Sequence, residues 1–493
     1  MIRRLNRLIS ILLLVFLLCS CATGPKENPK PTVYAFNSVK SDLFPFYAIG
    51  EDNNLWRIEN TGAYSVGYRA SYSSGGREQS FVKYLKNEDI LVFATDIYAK
   101  SGVNYCSIGV QQGREPAEII ATEVKLDTLR VQNDGNLLFI DSQDTLFFRR
   151  DGIILRIEGN VAESELVGED TFLFRLKSGT DIEGEILYPI YFSNADYRNH
   201  LMDALDIVAA DSENSKAYII KNKRNIQKRT TSVEVADCFI YADGEVLFDI
   251  PSVVLSQFKE NKHMFLLSCD EEKPSLRYKL YRVDGSSPVL KAENVLAGKY
   301  ISLSKDVYAY ETEEKGGVKI NITDTRDGIS AYSLTCSLDN LYACNQYTYV
   351  FLDGELLLLE NDGIGALIDD GIESIRFLED GLICFKEKTP PYSVSVCVGI
   401  SMQNKAKSVI NSNVVFEDNI LYYYTGGSND LEMTDSLGKT TAFISNVDTQ
   451  IGFICDKGTV AMAKNDDKTM FIVGRFGVCD TQLKIKQFIR EVL

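Results

Sequence analysis

The chain has 493 residues and carries 52 lysines and arginines against 69 aspartates and glutamates, which gives a formal net charge of −17. A chain of this length can bury one large core or form two domains. Its acidity argues against general nucleic-acid binding, because the phosphate backbone would repel it.

The first 20 residues have the layout of a secretory signal. Three arginines lie within the first seven residues, and the run from Leu8 to Leu18 is apolar apart from Ser10. This run is too short to span a bilayer comfortably, so the sequence predicts a signal peptide at 1–20.

The end of this segment carries a specific motif. Leu18, Cys19, Ser20 and Cys21 resemble the lipobox of bacterial lipoproteins. The resemblance implies cleavage before Cys21, a diacylglyceryl group on its thiol, and an extracytoplasmic protein anchored to the cell membrane. Two acyl chains hold a protein stably, since each buried methylene contributes about 0.8 kcal/mol. An ordinary signal peptide and a retained membrane helix are the alternatives.

Residues 21–32 are expected to form a flexible tether behind the acylated Cys21. Pro25, Pro29 and Pro31 favour extended chain at about 3.1 Å per residue, which would lift the body roughly 30 Å off the membrane. Loss of the three arginines of the leader changes the formal charge from −17 to −20.

The sequence predicts an all-β body over 33–483. Short runs rich in Tyr, Phe, Ile, Val and Leu alternate with turn dipeptides, and Asp-Gly between two such runs favours a hairpin because glycine accepts positive φ. Asp-Gly begins at Asp134, Asp151, Asp243, Asp284, Asp327, Asp353, Asp362, Asp370 and Asp380.

Groups of four short strands recur about every 35–50 residues, which is typical of a β-propeller. Such groups lie within 127–164, 298–337 and 341–369. We expect about eight or more blades. Ten or eleven groups can be marked, eight larger blades with insertions also fit, and two smaller propellers are an alternative. A pair of β-sandwiches or a β-solenoid is the competing architecture. The body resembles the divergent propellers of bacterial envelope proteins.

Three local predictions concern the ends and one interruption of the pattern. Val33–Phe36 is expected to complete a sheet with strands near Met470–Gly474, closing the ring. Asn194–Val208 has apolar residues at helical spacing and predicts a helical insertion. Residues 484–493 likewise predict a short amphipathic C-terminal helix that caps the body.

Catalytic signatures are scarce. Neither His200 nor His263 lies in a zinc-binding pattern, and the sequence has no nucleophile elbow and no phosphate-binding loop. We therefore predict no catalytic residues, no metal and no cofactor. The nine cysteines other than Cys19 and Cys21 lie mostly in apolar runs, and their odd number argues against a full disulfide framework.

Two segments are candidates for ligand contact. A basic hairpin carries a run of cations, and a strand carries three consecutive tyrosines, of which one face would point outward or into the central channel. The candidate contact residues are Lys223, Arg224, Lys228, Arg229, Tyr422 and Tyr424. A solvated loop and packing between blades are the structural alternatives for the two segments.

These observations predict a membrane-anchored lipoprotein whose propeller is a non-catalytic platform for a protein, peptide or envelope ligand. Its partners would be the lipid bilayer, through acylated Cys21, and an unidentified protein, peptide or glycan. The alternative is a carboxylate-dependent glycan hydrolase or lyase, and a third possibility is a docking subunit of an envelope complex.

Overall fold

Two of the Asp-Gly dipeptides, at Asp151 and Asp353, form the tight hairpins that they predict. At Asp151-Gly152 φ is 51° and 80°, and at Asp353-Gly354 it is 49° and 86°. Both dipeptides therefore have the two positive φ values of a type I′ turn. The strands on either side pair directly across these turns, through Arg150–Ile153 and Leu352–Glu355.

The computed structural model describes residues 33–489 with short gaps. The gaps are 36–38, 75–76, 195, 212–214, 229–230, 243, 260–264, 274, 285–286, 303–306, 315–316, 325–327, 333–336, 345–346, 361–362, 379–380, 411–412, 426–428 and 475–476. The leader, Cys21 and the tether lie outside this part of the chain, as do 490–493.

The described residues fold into antiparallel strands that we group into eleven consecutive units. Unit 1 contains β1 (Val33–Ala35), β2 (Phe46–Gly50), β3 (Asn54–Glu59) and β4 (Gly62–Arg69), followed by the separate hairpin β5 (Ser71–Ser74) and β6 (Arg77–Ser80). Unit 2 contains β7 (Val82–Leu85), β8 (Ile90–Lys100), β9 (Val103–Gln112) and β10 (Glu118–Lys125). Unit 3 contains β11 (Arg130–Val131), β12 (Leu137–Ile140), β13 (Leu146–Arg150) and β14 (Ile153–Glu158).

Units 4 to 7 contain several longer strands, and units 5 to 7 share one continuous ten-stranded sheet. Unit 4 contains β15 (Val161–Leu166), β16 (Thr171–Leu176), β17 (Thr180–Ile182), β18 (Glu185–Asn194) and β19 (Arg198–Ala204). Unit 5 contains β20 (Asp206–Asp211), β21 (Lys216–Lys228), β22 (Thr231–Ala242) and β23 (Glu245–Val254). Unit 6 contains β24 (Phe265–Cys269), β25 (Tyr278–Asp284) and β26 (Ser287–Ser302), and unit 7 contains β27 (Val307–Glu314), β28 (Gly317–Asp324) and β29 (Gly328–Tyr332).

Units 8 to 11 complete the series. Unit 8 contains β30 (Leu341–Cys344), β31 (Tyr347–Leu352), β32 (Glu355–Glu360) and β33 (Gly363–Asp369). Unit 9 contains β34 (Ser374–Phe377), β35 (Leu382–Phe385), β36 (Tyr392–Val398) and β37 (Ser401–Val409). Unit 10 contains β38 (Val415–Glu417), β39 (Ile420–Thr425), β40 (Asp430–Asp435) and β41 (Thr440–Ile444), and unit 11 contains β42 (Phe453–Asp456), β43 (Thr459–Ala463), β44 (Thr469–Gly474) and β45 (Gly477–Ile489).

Each unit is apolar on both faces because neighbouring residues of a strand point to opposite sides of the sheet. In β2, Phe46 and Ala48 pack towards unit 11, whereas Tyr47 and Ile49 pack towards unit 2. A unit with two apolar faces needs a neighbour on each side, and stacking in a ring supplies both.

Apolar clusters join the units in chain order and close the series. Eleven clusters of buried residues occur in the described part of the chain, and each joins consecutive units. The cluster that closes the series packs Ala461 and Met470 of unit 11 against Ala48 and Ile58 of unit 1. The body is thus a β-propeller with one closed ring, not two smaller propellers.

The ring closes through different strands from those predicted. β1 lies in the same eight-stranded sheet as β44, but it pairs with β4. The two ends of the body meet where β2 pairs with the last residues of β45, from Tyr47–Ile489 to Gly50–Ile485. β45 is 13 residues long, so it pairs with β44 first and with β2 afterwards. Phe36 lies outside the described residues.

The prediction of a C-terminal helix over 484–493 is wrong, because residues 484–489 belong to β45. The predicted helical insertion at Asn194–Val208 is also wrong, because β19 pairs with β18 and β20 pairs with β21. In both segments pairing with a neighbouring strand satisfies the backbone groups, which outweighs a short helical spacing of apolar residues.

In the described part of the chain, three short 3-10 turns accompany the strands, at Leu126–Thr128, Leu255–Lys259 and Leu338–Asn340. Within the described ranges, no helix has the length and apolar character needed to cross a membrane.

Candidate functional site

A cavity of about 340 Å³ lies where the two ends of the body meet. Its walls come from units 10, 11, 1 and 2, which are consecutive in the closed ring. The lining residues are Leu43, Phe46, Lys86, Val415, Glu417, Phe453, Ile454, Cys455, Asp456 and Ile489. We call this the closure pocket.

Two tight turns place the acids at the rim of the closure pocket. Glu417 is the last residue of β38 and Asp456 is the last residue of β42. The turn after Glu417 has φ values of 49° and 61° at Asp418 and Asn419, and the turn after Asp456 has 44° and 79° at Lys457 and Gly458. Both are therefore two-residue turns of the I′ kind, which reverse the chain at once and leave the preceding side chains at the rim.

The carboxylates of Glu417, Asp418 and Asp456 form one cluster. One oxygen of each lies within 4.8 Å of one oxygen of both others. The Cys455 thiol donates a hydrogen bond to Glu417 Oε2 at 3.0 Å, and the backbone N–H of Lys457 donates to Asp418 Oδ2 at 3.3 Å. Three carboxylates offer the oxygen ligands that hard cations prefer, although Ca²⁺ takes six to eight.

Two lysines offset part of this negative charge. Lys457 Nζ lies 2.8 Å from Asp42 Oδ2, and this contact lowers the pKa of Asp42. Burial raises the pKa of Asp456, and the charges of Lys86 and Lys457 oppose that effect while Asp418 and Asp42 add to it. The burial effect prevails, so the pKa of the Asp456 carboxyl lies above that of an ordinary aspartate.

The floor of the closure pocket is apolar. Leu43, Phe46, Phe453 and Ile489 are all buried, and they belong to the clusters that hold units 10, 11, 1 and 2 together. Because the floor is part of the core, its shape is fixed by packing between the units. The pocket thus combines a rigid apolar floor with a carboxylate rim, an arrangement that suits a ligand with an apolar body and polar ends.

The predicted tyrosine contacts are buried. Tyr422 and Tyr424 have no exposed surface and pack between units 10 and 11, and Tyr423 packs on the opposite face against unit 9. Both faces of β39 are therefore covered, which overturns the prediction that one face points outward or into a channel. Burial raises the pKa of Tyr422. The Tyr422 hydroxyl accepts a hydrogen bond of 3.1 Å from the N–H of Gly458, so it supports a turn of the closure pocket from behind.

The described cations of the basic hairpin form ion pairs and hydrogen bonds with acidic residues of the same protein. Lys223 Nζ lies 2.9 Å from Glu234 Oε1, and Arg224 contacts Asp237 at 2.9 Å and Glu271 at 2.8 Å. Lys228 Nζ donates to the carbonyl oxygen of Glu271 at 2.5 Å. Arg229 lies outside the described residues. The structure brings Arg224 and Lys228 of unit 5 together around Glu271. The tyrosines lie elsewhere, in unit 10.

The remaining nucleophilic and basic groups gather at no site in the described residues. His200 Nε2 lies 3.0 Å from Asp203 on an exposed strand, and His263 lies outside the described residues. Of the eight cysteines described, seven are buried and Cys455 is partly exposed. Burial raises the pKa of Cys106, Cys238, Cys384 and Cys397, so these thiols remain protonated and inert.

Sequence reasoning missed the closure pocket because its acids belong to two different units. The sequence does contain a local signal: Glu417 and Asp456 each precede a two-residue turn that begins a new hairpin. What the local sequence lacks is the packing of units 10 and 11, which brings the two turns together, and the pairing of β2 with the last residues of β45.

Comparisons with known proteins give a fold likeness only. No family model and no curated protein match the chain. It is similar to dipeptidyl peptidase 4 from Porphyromonas gingivalis, at 8% identity over 80% of this chain and 64% of that chain, with a TM-score of 0.38. The β-propeller domain of the Trilobed protease from Pyrococcus furiosus matches at 13% identity over 70% of this chain and 99% of the domain, with a TM-score of 0.28.

A third solved structure, acylaminoacyl peptidase from Pyrococcus horikoshii, matches at 11% identity over 72% of this chain and 57% of that chain, with a TM-score of 0.26. This chain thus spans less than two thirds of either full-length peptidase. At these identities and scores, nothing about the activity or substrates of those proteins is carried over to this chain.

Proposed function

We propose that this protein is a membrane-anchored extracytoplasmic lipoprotein whose propeller binds a protein, peptide or envelope ligand without transforming it. The observation that carries the binding role is the closure pocket, with its fixed apolar floor and its partly compensated carboxylate rim. The lipobox-like segment ending at Cys21 supports the anchor. The pocket lies on the body, and the acylated cysteine would hold that body at the membrane surface.

The arrangement of the acids favours binding over hydrolysis. Glycosidases hold two carboxyl groups about 5–5.5 Å apart, or about 6.5–9.5 Å apart when a water must fit between them. The closure pocket holds a cluster of three carboxylates rather than a separated pair, and two of them already accept hydrogen bonds from the Cys455 thiol and the Lys457 N–H.

The anchor is tested by labelling cells with palmitate. Wild-type protein is expected to incorporate the label and to fractionate with the membrane, because Cys21 carries the acyl chains. The Cys21→Ala variant is expected to lose both properties. Equal labelling of the two proteins would refute the anchor.

The binding role is tested by cross-linking in cells. A photoreactive phenylalanine analogue at position 454 lies in the wall of the closure pocket, where Ile454 is partly exposed. The same analogue at Leu437, which is 92% exposed at a turn, serves as the control. We expect a discrete adduct from position 454 that position 437 does not give. Identical patterns from the two positions would contradict a ligand role for the pocket.

One observation favours a second candidate function, carboxylate-dependent hydrolysis or lysis of a glycan. Asp456 has a raised pKa and lies beside Glu417 in the carboxylate cluster, as an acid and its partner would. Purified protein would then release reducing ends from cell-envelope glycan, and Asp456→Asn with Glu417→Gln would lower the rate at least about a hundredfold. Equal background release by the wild type and the double variant would dismiss this candidate.

A further inference from the structure

The rim of the closure pocket carries more negative than positive charge. Four carboxylates lie in or beside it, on Glu417, Asp418, Asp456 and Asp42, against the two ammonium groups of Lys86 and Lys457. Lys457 Nζ forms an ion pair with Asp42 Oδ2 at 2.8 Å. Among the described residues that form it, the rim therefore has an excess of two negative charges.

The apolar floor indicates that the ligand carries an apolar part in addition to a positive charge. A metal ion alone would bind to the carboxylates but would leave the partly exposed side chains of Val415 and Ile454 facing water in the cavity. A guanidinium or ammonium group on an aliphatic stem matches both halves. The cation meets the carboxylates in charge-assisted hydrogen bonds, while the stem and an adjoining apolar side chain cover the floor.

The size of the cavity agrees with such a ligand. At about 340 Å³ it lies at the lower end of the range for small-molecule pockets, about 300–1,000 Å³. That space suits one or two side chains of a peptide better than a sugar chain. The Asp418-Asn419 and Lys457-Gly458 turns flank it.

We propose that the closure pocket binds a peptide segment that presents an arginine or lysine side chain beside an apolar side chain. The proposal deepens the binding role proposed above and depends on it. The acidity of the whole protein, with a formal charge of −17, would attract such a basic segment to the protein.

The probes are short blocked peptides, measured by titration calorimetry on the full chain purified in detergent. Three peptides place arginine between two leucines, two phenylalanines or two valines, and each has a partner in which citrulline replaces arginine. Citrulline keeps the shape but removes the charge. At least one arginine peptide is expected to bind about tenfold more tightly than its citrulline partner. Equal affinities in all three pairs would overturn the proposal.

Two variants test whether the preference for arginine depends on the rim of the closure pocket. Asp456→Asn removes a rim charge and is expected to weaken the arginine peptide about tenfold while leaving the citrulline peptide unchanged. Asp466→Asn is the matched control, because Asp466 is an exposed acid at another turn of unit 11, and it is expected to change neither affinity. Equal effects of the two variants would place the interaction in the general field of the protein and overturn the pocket assignment.

Calcium alone and the cellular cross-link separate the remaining outcomes. If calcium binds and the Asp456→Asn variant abolishes that binding, while no arginine peptide binds, the pocket is a cation site and the peptide proposal is wrong. An adduct at position 454 without any preference for arginine would leave the binding role standing and remove only the ligand class. Absence of both the adduct and the preference would remove both proposals.

Discussion

Glu417 and Asp456 occupy equivalent positions in consecutive units of the ring. Each ends the first strand of its unit and pairs across a two-residue turn with the residue that opens the next strand, Ile420 in one case and Thr459 in the other. The two turns share positive φ at both residues. Packing of units 10 and 11 therefore sets two carboxylates side by side, and the repeat itself generates the acidic rim.

The hydroxyl of Tyr422 supports this rim, and its removal tests the support. Tyr422→Phe is expected to lose the hydrogen bond from the N–H of Gly458 and to lower the free energy of unfolding by about 0.5–1.5 kcal/mol. Tyr424→Phe is the control from the same strand, because its buried hydroxyl has no hydrogen-bond partner in the described structure. That variant is expected to be neutral or slightly stabilising. Denaturant midpoints of both variants provide the measurement, and equal losses would contradict the assignment.

Closure of the ring depends on the last residues of β45. Phe488 is buried, and its ring centroid lies 6.2 Å from that of Phe46 on the paired strand. Phe488→Ala is expected to destabilise the body by about 3–5 kcal/mol, since it leaves a cavity between the two ends of the body. Val478→Ala changes a residue of the same strand that is 56% exposed, and its effect should stay within about 0.5 kcal/mol. A small, equal effect of both changes on the urea midpoint would argue against closure by this strand.

The sequence carries the fold class because its signals are local. Turn chemistry at Asp151-Gly152 and Asp353-Gly354 sets hairpins, and alternating apolar residues set two-faced sheets, so a propeller can be predicted without any long-range information. The segment 484–489 shows the limit. Ile485 and Phe488 are three residues apart, which fits one face of a helix, yet a bulged strand pairs them with β2. Only the distant partner strand decides between the two.

The residues of the candidate site likewise could not be identified from local sequence. Tyr422 and Tyr424 attract attention in the sequence because consecutive tyrosines are unusual on a strand, but burial between units explains them. Glu417 and Asp456 are ordinary acids before turns, and their significance arises from the order of units around the ring. Composition indicates which residues are distinctive, whereas packing determines which of them meet.

A buried arginine joins units 1 and 2. Arg57 contacts Glu59 at 2.7 Å, forms two hydrogen bonds to Asp89 of 2.6 and 2.8 Å, and donates to the hydroxyl of Tyr47 at 2.7 Å. Arg57→Met is expected to cost about 3–5 kcal/mol, because it leaves Glu59 and Asp89 without their shared partner.

Arg114 provides a comparison within the same network. It also pairs with Glu59, but its side chain is 64% exposed, so Arg114→Met is expected to cost no more than about 1 kcal/mol. Thermal unfolding at low and high salt measures both variants. The loss in Arg57→Met should persist at high salt, since buried pairs are screened little. A loss that disappears with salt would indicate that Arg57 is solvated.

Glu163 gives the stability of the body a distinct dependence on pH. It lies at the contact of units 4 and 5, where its carboxylate is 2.6 Å from Arg175 Nε and accepts a hydrogen bond of 3.4 Å from the N–H of Ile207. Burial raises the pKa of Glu163 from 4.5 to about 7, a hydrogen bond with Asp206 adds to the effect, and Arg175 opposes it. The charge of Arg130 lies nearby and is itself paired with Glu165.

The sign of the effect follows from the raised pKa. The folded protein holds the proton on Glu163 more tightly than the unfolded chain does, so this group contributes its full stabilisation below about pH 4.5 and loses it as the pH rises through about 7. Glu163→Gln keeps a hydrogen-bond donor towards Asp206 but has no proton to release. The free energy of unfolding of the wild type should therefore fall relative to that of the variant between pH 4.5 and 8, by no more than about 1.4 kcal/mol per pH unit. Urea unfolding at several pH values measures this difference, and curves that stay parallel across the window would show that Glu163 is ionised in the folded protein throughout.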